Sequence, residues 1–171
     1  MMKSKVLAFL LAISSFSLFA QSKSEVIKNI NDLLQHVKNV RLMTSESSPT
    51  HITHTYMNFS AHSSKKGWVS LTSVTSWGSG YENLTLTYSF DPTKIEEISL
   101  NDELDKKRGN KAFLFALTLD DNSVDITSVQ GGKTSRDQSD MVVMYIMMKG
   151  DDGYEIYDTL EELFQELVEV S

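Results

Sequence analysis

The chain has 171 residues, a formal net charge of −7 and no cysteine. That length supports one full hydrophobic core, and the acidic balance argues against binding nucleic acid or anionic lipid, where cations must neutralise phosphate. With no disulfide available, burial alone must hold that core.

At the start of the chain Lys3 and Lys5 precede an apolar run over residues 6–13, and small residues follow up to Ala20. This is the charged region, apolar region and cleavage site of a secretory signal peptide. The 15 residues 6–20 fall short of the ~20 that a spanning helix needs, so cleavage is expected rather than a retained anchor. Without a cysteine near the cleavage point no lipoprotein anchor is expected. The mature chain is then residues 21–171, a single domain with 14 basic and 23 acidic residues and a net charge of −9. An acidic, cysteine-free exported chain fits a bacterial periplasmic or secreted protein.

In residues 22–40 the spacing of Val26, Ile27, Ile30, Leu33, Leu34, Val37 and Val40 predicts an amphipathic helix, opened by the capping box Ser22 and Glu25. Residues 44–50, with two Ser pairs and Pro49, read as a loop. The period then changes to two. Strands are expected over 51–60 and 68–76, joined by a polar turn at 61–67, and over 81–90 after a turn at 77–80. In that third strand Leu84, Leu86, Tyr88 and Phe90 share one face, and Asn83, Thr85, Thr87 and Ser89 share the face left for water or a partner.

A turn at Asp91-Pro92 leads to a short strand over 94–100, whose adjacent Glu96 and Glu97 suggest an edge or a bulge. The charged stretch 101–110 is a solvated loop, and 112–119 an apolar strand. Asp120-Asp121-Asn122 turns the chain into 124–129, giving an expected hairpin. Residues 130–139 read as a flexible polar loop. The uncharged run 141–148 predicts a strand buried on both faces. After the turn at Asp151-Asp152-Gly153, a second amphipathic helix is expected to open at Asp158, with Leu160, Leu163, Phe164, Leu167 and Val168 in one stripe.

The pattern is that of an α+β fold: an N-terminal helix, about seven mostly antiparallel strands and a C-terminal amphipathic helix. From residue 50 onward, seven strands followed by a helix are similar in outline to the pleckstrin-homology-like architecture. That resemblance is one of order and length, and implies as an alternative a bent barrel capped by its C-terminal helix.

The candidate sites are few. His51 and His54 are three apart on one strand and so face opposite ways, whereas His54 and His62 could approach across the hairpin; both read as surface imidazoles. Met141, Met144, Met147 and Met148 have a spacing known to suit cuprous copper, but a strand separates them onto two faces, and gap-filling in the core is expected instead. Gly131-Gly132-Lys133-Thr134 lacks the earlier glycine of a phosphate loop, since Thr127 stands there. The acid pairs and clusters at Glu96 and Glu97, at Asp102, Glu103 and Asp105, and at Asp120, Asp121 and Asp125 read as solvated turn and strand acids. Asp121, Asn122 and Asp125 lack the glycine and terminal glutamate of a calcium loop. Neither a metal nor a cofactor is expected.

Lys65, Lys66 and Trp68 in the first strand-to-strand turn, with Trp77 and Tyr81, form the best ligand-binding candidate, a basic and aromatic rim for an acidic glycan or a protein partner. The leading expectation is an exported, non-enzymatic binding or interaction module working through sheet edges and polar loops. A carrier holding a small apolar ligand between sheet and helix is the alternative, and a hydrolase using His54, His62 and carboxylates the third reading.

Overall fold

The computed structural model describes residues 21–37, 40–42, 52–77, 80–101, 110–149 and 152–171. The expected leader, His51, the 44–50 loop and most of the charged loop at 101–110 lie outside these.

Helix α1 (Lys23–His36) starts where the capping box places it, with the Ser22 N–H and hydroxyl both donating to Glu25 Oε2, at 2.8 and 2.9 Å. Val26, Ile27, Ile30, Leu33 and Leu34 form its buried stripe. It ends before Val40, because Val40–Leu42 is strand β1, paired with β2 (Ile52–Ala61). Strand pairing thus overrides the helical period in the last expected turn.

β2 pairs with β3 (Val69–Ser76), and Met57 is an extra residue on β2, between the pairs Tyr56–Ser73 and Asn58–Thr72. The bulge shifts the alternation by one, so His54, Tyr56 and Phe59 all face the core although Tyr56 and Phe59 are three apart. Helix α1 serves the backbone there: Asn31 Oδ1 accepts from the Phe59 N–H at 2.9 Å, and Gln35 Nε2 donates to the Tyr56 carbonyl at 3.3 Å.

The sheet continues through β4 (Leu84–Phe90), β7 (Val124–Gln130) and β8 (Lys133–Ser139), in the order β1-β2-β3-β4-β7-β8. A second sheet has the order β5-β6-β9, from β5 (Ile95–Asn101), β6 (Asn110–Leu119) and β9 (Met141–Lys149). All the strand pairs are antiparallel. The fold is α+β, as the pattern predicts, and the alternative of a closed barrel is overturned, since among the described residues no ladder joins the two sheets. β5 is an edge strand with a bulge at Glu96, as its paired acids suggested.

Three further expectations change. β6 and β7 form no hairpin, because the turn at Asp120-Asp121-Asn122 carries the chain from one sheet to the other. Residues 133–139 are a strand, not a loop. Helix α2 (Asp152–Glu169) opens before Asp158. Buried Ile156 extends its stripe by a turn, and Thr159 bonds back to the Glu155 carbonyl (2.7 Å) instead of capping.

Every passage between the sheets lies at one corner. There Asp91 caps a 3₁₀ turn (Pro92–Lys94) by accepting from the Thr93 N–H at 3.0 Å, the Asp120 N–H donates to the Lys94 carbonyl at 3.1 Å, and the Leu119 N–H donates to the Asp140 carbonyl at 2.7 Å. Phe59, Phe115 and Phe164 join the first sheet, the second sheet and α2, with Phe164 at 5.7 Å between centroids from each of the other two. On β9, Val142, Met144 and Ile146 are fully buried, while Val143 and Tyr145 are half-buried and Met141 is 38% exposed, so only one face of this strand is dry.

Candidate functional site

The described residues that gather the most polar chemistry lie beside that corner, where the β2–β3 turn meets the start of β7 and the end of β8. Gly67, at φ +85°, closes the turn, and the His62 N–H donates to the Trp68 carbonyl at 2.9 Å. Within the turn His62 Nδ1 accepts from the Ser64 and Lys65 N–H groups, at 3.1 and 3.0 Å, which leaves Nε2 to carry the ring proton. Lys65 is thereby aimed across the sheet. Its ammonium lies 3.7 Å from the Trp68 ring centroid and forms an ion pair with Asp125 on β7. That hydrogen bond holds the Asp125 carboxyl below the usual carboxylate range, against a smaller opposing effect of burial. Gln138 on β8 also donates to Asp125, at 3.3 Å.

These residues line an open cleft of about 780 Å³, with His62, Ser64 and Lys65 on one wall, Asp125 on the floor and Arg136 and Gln138 on the other wall. Lys65 is anchored on two sides, whereas Arg136 makes no ion pair among the described residues. The floor continues into a hydroxyl-rich sheet face, with Ser70 bonded to Ser89 at 3.0 Å and Thr72 to Thr87 at 3.1 Å. This is the polar face of β4 that the alternation of Thr85, Thr87 and Ser89 predicts.

Of the candidate rim, Lys65, Lys66 and Trp68 share this turn, with Lys66 exposed. Trp77 follows the far end of β3, roughly 30 Å from Trp68 at the usual strand rise, and Tyr81, 70% exposed, lies beyond it. The five residues therefore form two separate groups. Asp125, Arg136 and Gln138 join the site although the sequence pattern marks none of them: composition makes the first a solvated acid and the other two loop residues, whereas they lie on β7 and β8. Gly131-Gly132 was the available signal: both residues have positive φ, +58° and +71°, and make the two-residue turn of a β7–β8 hairpin.

His54 is not a surface imidazole. It is 4% exposed, edge-on to Tyr56 and Tyr145 with centroids at 5.1 and 5.3 Å, and its Nδ1 is 3.0 Å from Thr75 Oγ1. Nε2 has no partner among the described residues, and burial lowers the pKa to about 4, so the ring is neutral at pH 7. His62 follows the opposite end of β2, roughly 25 Å away, and the two histidines are not brought together.

A smaller groove of about 320 Å³ between β5 and α2 is lined by Glu96, Glu97, Glu161 and Glu169. Among the described residues no three His, Asp or Glu side chains are placed to hold a metal ion, and no helix is long and apolar enough to cross a membrane. Comparison with models of known families, with characterised proteins and with solved structures finds no match.

Proposed function

We propose that the protein is an exported, non-enzymatic binding module that takes a carboxylate-bearing partner or envelope component into the cleft between the β2–β3 turn and β8. The observation that carries this reading is Arg136, a guanidinium without an ion pair among the described residues, standing opposite an already neutralised Lys65–Asp125 pair. A planar guanidinium binds a carboxylate through two parallel hydrogen bonds. The anchored Lys65 and the bonded hydroxyls of the floor supply fixed polar groups, which lose little side-chain entropy on binding. Export rests on the leader-like residues 1–20.

The test compares capture from an envelope extract by tagged wild-type protein and by Arg136→Glu. A partner of this cleft is retained by the first and lost from the second, and equal capture by both would sink the reading. With an acidic oligosaccharide such as tetragalacturonate as probe, amide shifts in NMR are expected to centre on Lys65 and Arg136.

A further inference from the structure

β8 is the outermost strand of the six-stranded sheet, and residues 133–138 are all exposed. The hairpin determines which of its backbone groups are free. Gln130 and Lys133 flank a two-residue turn and exchange both ladder bonds. Lys133, Ser135 and Asp137 therefore direct N–H and C=O toward β7, while Thr134, Arg136 and Gln138 direct theirs outward. A row of outward groups on a flat edge is a template for another strand.

We infer that β8 is the seam of a two-fold homodimer, pairing antiparallel with β8 of a second copy about an axis at Ser135. Charge selects both the occupant and the register. An axis at Arg136 offers six backbone hydrogen bonds but sets Arg136 directly against itself, and an axis at Asp137 sets that acid against itself; like charges directly opposite are destabilising. An axis at Ser135 offers four bonds, through Thr134 facing the partner's Arg136 and the reverse. It also places Lys133 opposite the partner's Asp137, twice over by symmetry. The strand thus carries a charge order complementary to its own reversed copy.

The axis of such a pairing is perpendicular to the sheet, so the clefts of both copies open on the same side of one continuous twelve-stranded sheet, twice the six of one copy. If the cleft binds as proposed above, the dimer is bivalent for a repeating ligand; the dimer itself does not depend on that reading. A single strand pair buries less than the roughly 1,000 Å² of a stable interface. The association is accordingly weak, with a Kd between about 1 μM and 1 mM.

Sedimentation equilibrium over a concentration series tests the dimer. Lys133→Asp and Asp137→Lys are each expected to weaken it about tenfold, and the double variant K133D/D137K to restore it, because the pairs are re-formed with reversed sign. Thr134→Pro removes an outward N–H and no bond of the β7 ladder, so it is expected to abolish association with the far-UV circular dichroism unchanged. The chain has no cysteine, so Ser135→Cys introduces a single thiol at the axis and is expected to oxidise to a covalent dimer faster than Ser139→Cys or Arg136→Cys. A monomer at every concentration up to about 1 mM, a dimer indifferent to the charge swaps, or faster cross-linking from position 136 or 139 would each overturn the inference.

Discussion

β8 and β9 are consecutive strands joined through Asp140, and they are held by opposite means. β9 puts Val142, Met144 and Ile146 against the core, so burial of side chains holds it. β8 exposes nearly every side chain and is held by its ladder to β7 and by the Gly131-Gly132 turn. Side-chain deletions are therefore expected to be costly in the layer around β9, and backbone changes around β8.

The largest effect belongs to the layer covering β9. Phe164 on α2 is fully buried and touches Phe59 and Phe115. Phe164→Ala is expected to lower the unfolding free energy by about 3–5 kcal/mol, measured by urea denaturation. A loss below about 1 kcal/mol would show that the layers close up around the cavity and that the core is less tightly specified than its geometry suggests.

Next comes a pH effect where the two sheets meet. Tyr56, beside His54 on β2, donates its hydroxyl to the Tyr145 carbonyl on β9 at 2.8 Å, and His54 packs against both rings. Its pKa is about 4 in the folded protein against 6.5 ordinarily. Between those values the unfolded chain binds a proton that the folded chain refuses, so stability is fully present above pH 6.5 and falls as pH drops toward 4. The loss amounts to about 3 kcal/mol. Subtracting the pH–stability curve of His54→Asn from that of wild type isolates this slope. A flat difference would mean that water or a carboxylate reaches Nε2.

The hairpin supplies the third test. Gly131 sits at φ +58°, and an added Cβ would meet the Glu82 carboxylate. Gly131→Ala is expected to cost about 1–2 kcal/mol through its left-handed backbone, although the side chain added is small and exposed. Were residues 130–139 the flexible loop that their composition suggests, the change would be neutral.

The contrast between the two strands also explains what was legible in the sequence. Apolar periodicity located α1, β6, β9 and the core of α2, because burial is their main support and burial requires apolar residues at fixed intervals. It could not locate β8, whose residues Lys133 to Ser139 carry no apolar side chain; only the paired glycines marked it. Without β8 nothing in the sequence places Arg136 and Gln138 beside Asp125, which then reads as one more solvated acid. The turn at Asp120-Asp121-Asn122 is ambiguous in the sequence for a related reason. Its left-handed residues, Asp121 at φ +36° and Asn122 at φ +51°, suit a hairpin as well as a sheet crossing, and only long-range pairing distinguishes the two.

The smallest effect tests β9 from inside. Met144 is fully buried opposite Phe115, on the same face as Val142 and Ile146, whereas Met141 is on the other face and partly exposed. A thioether in that position fills space, and leucine has nearly its volume, so Met144→Leu is expected to cost less than about 1.5 kcal/mol. The same burial that makes Phe164→Ala expensive makes this exchange cheap, since the volume is conserved and no polar contact is lost. A larger penalty than that of Phe164→Ala would reverse the ranking, and would mean that β9 needs sulfur at this position for something other than packing.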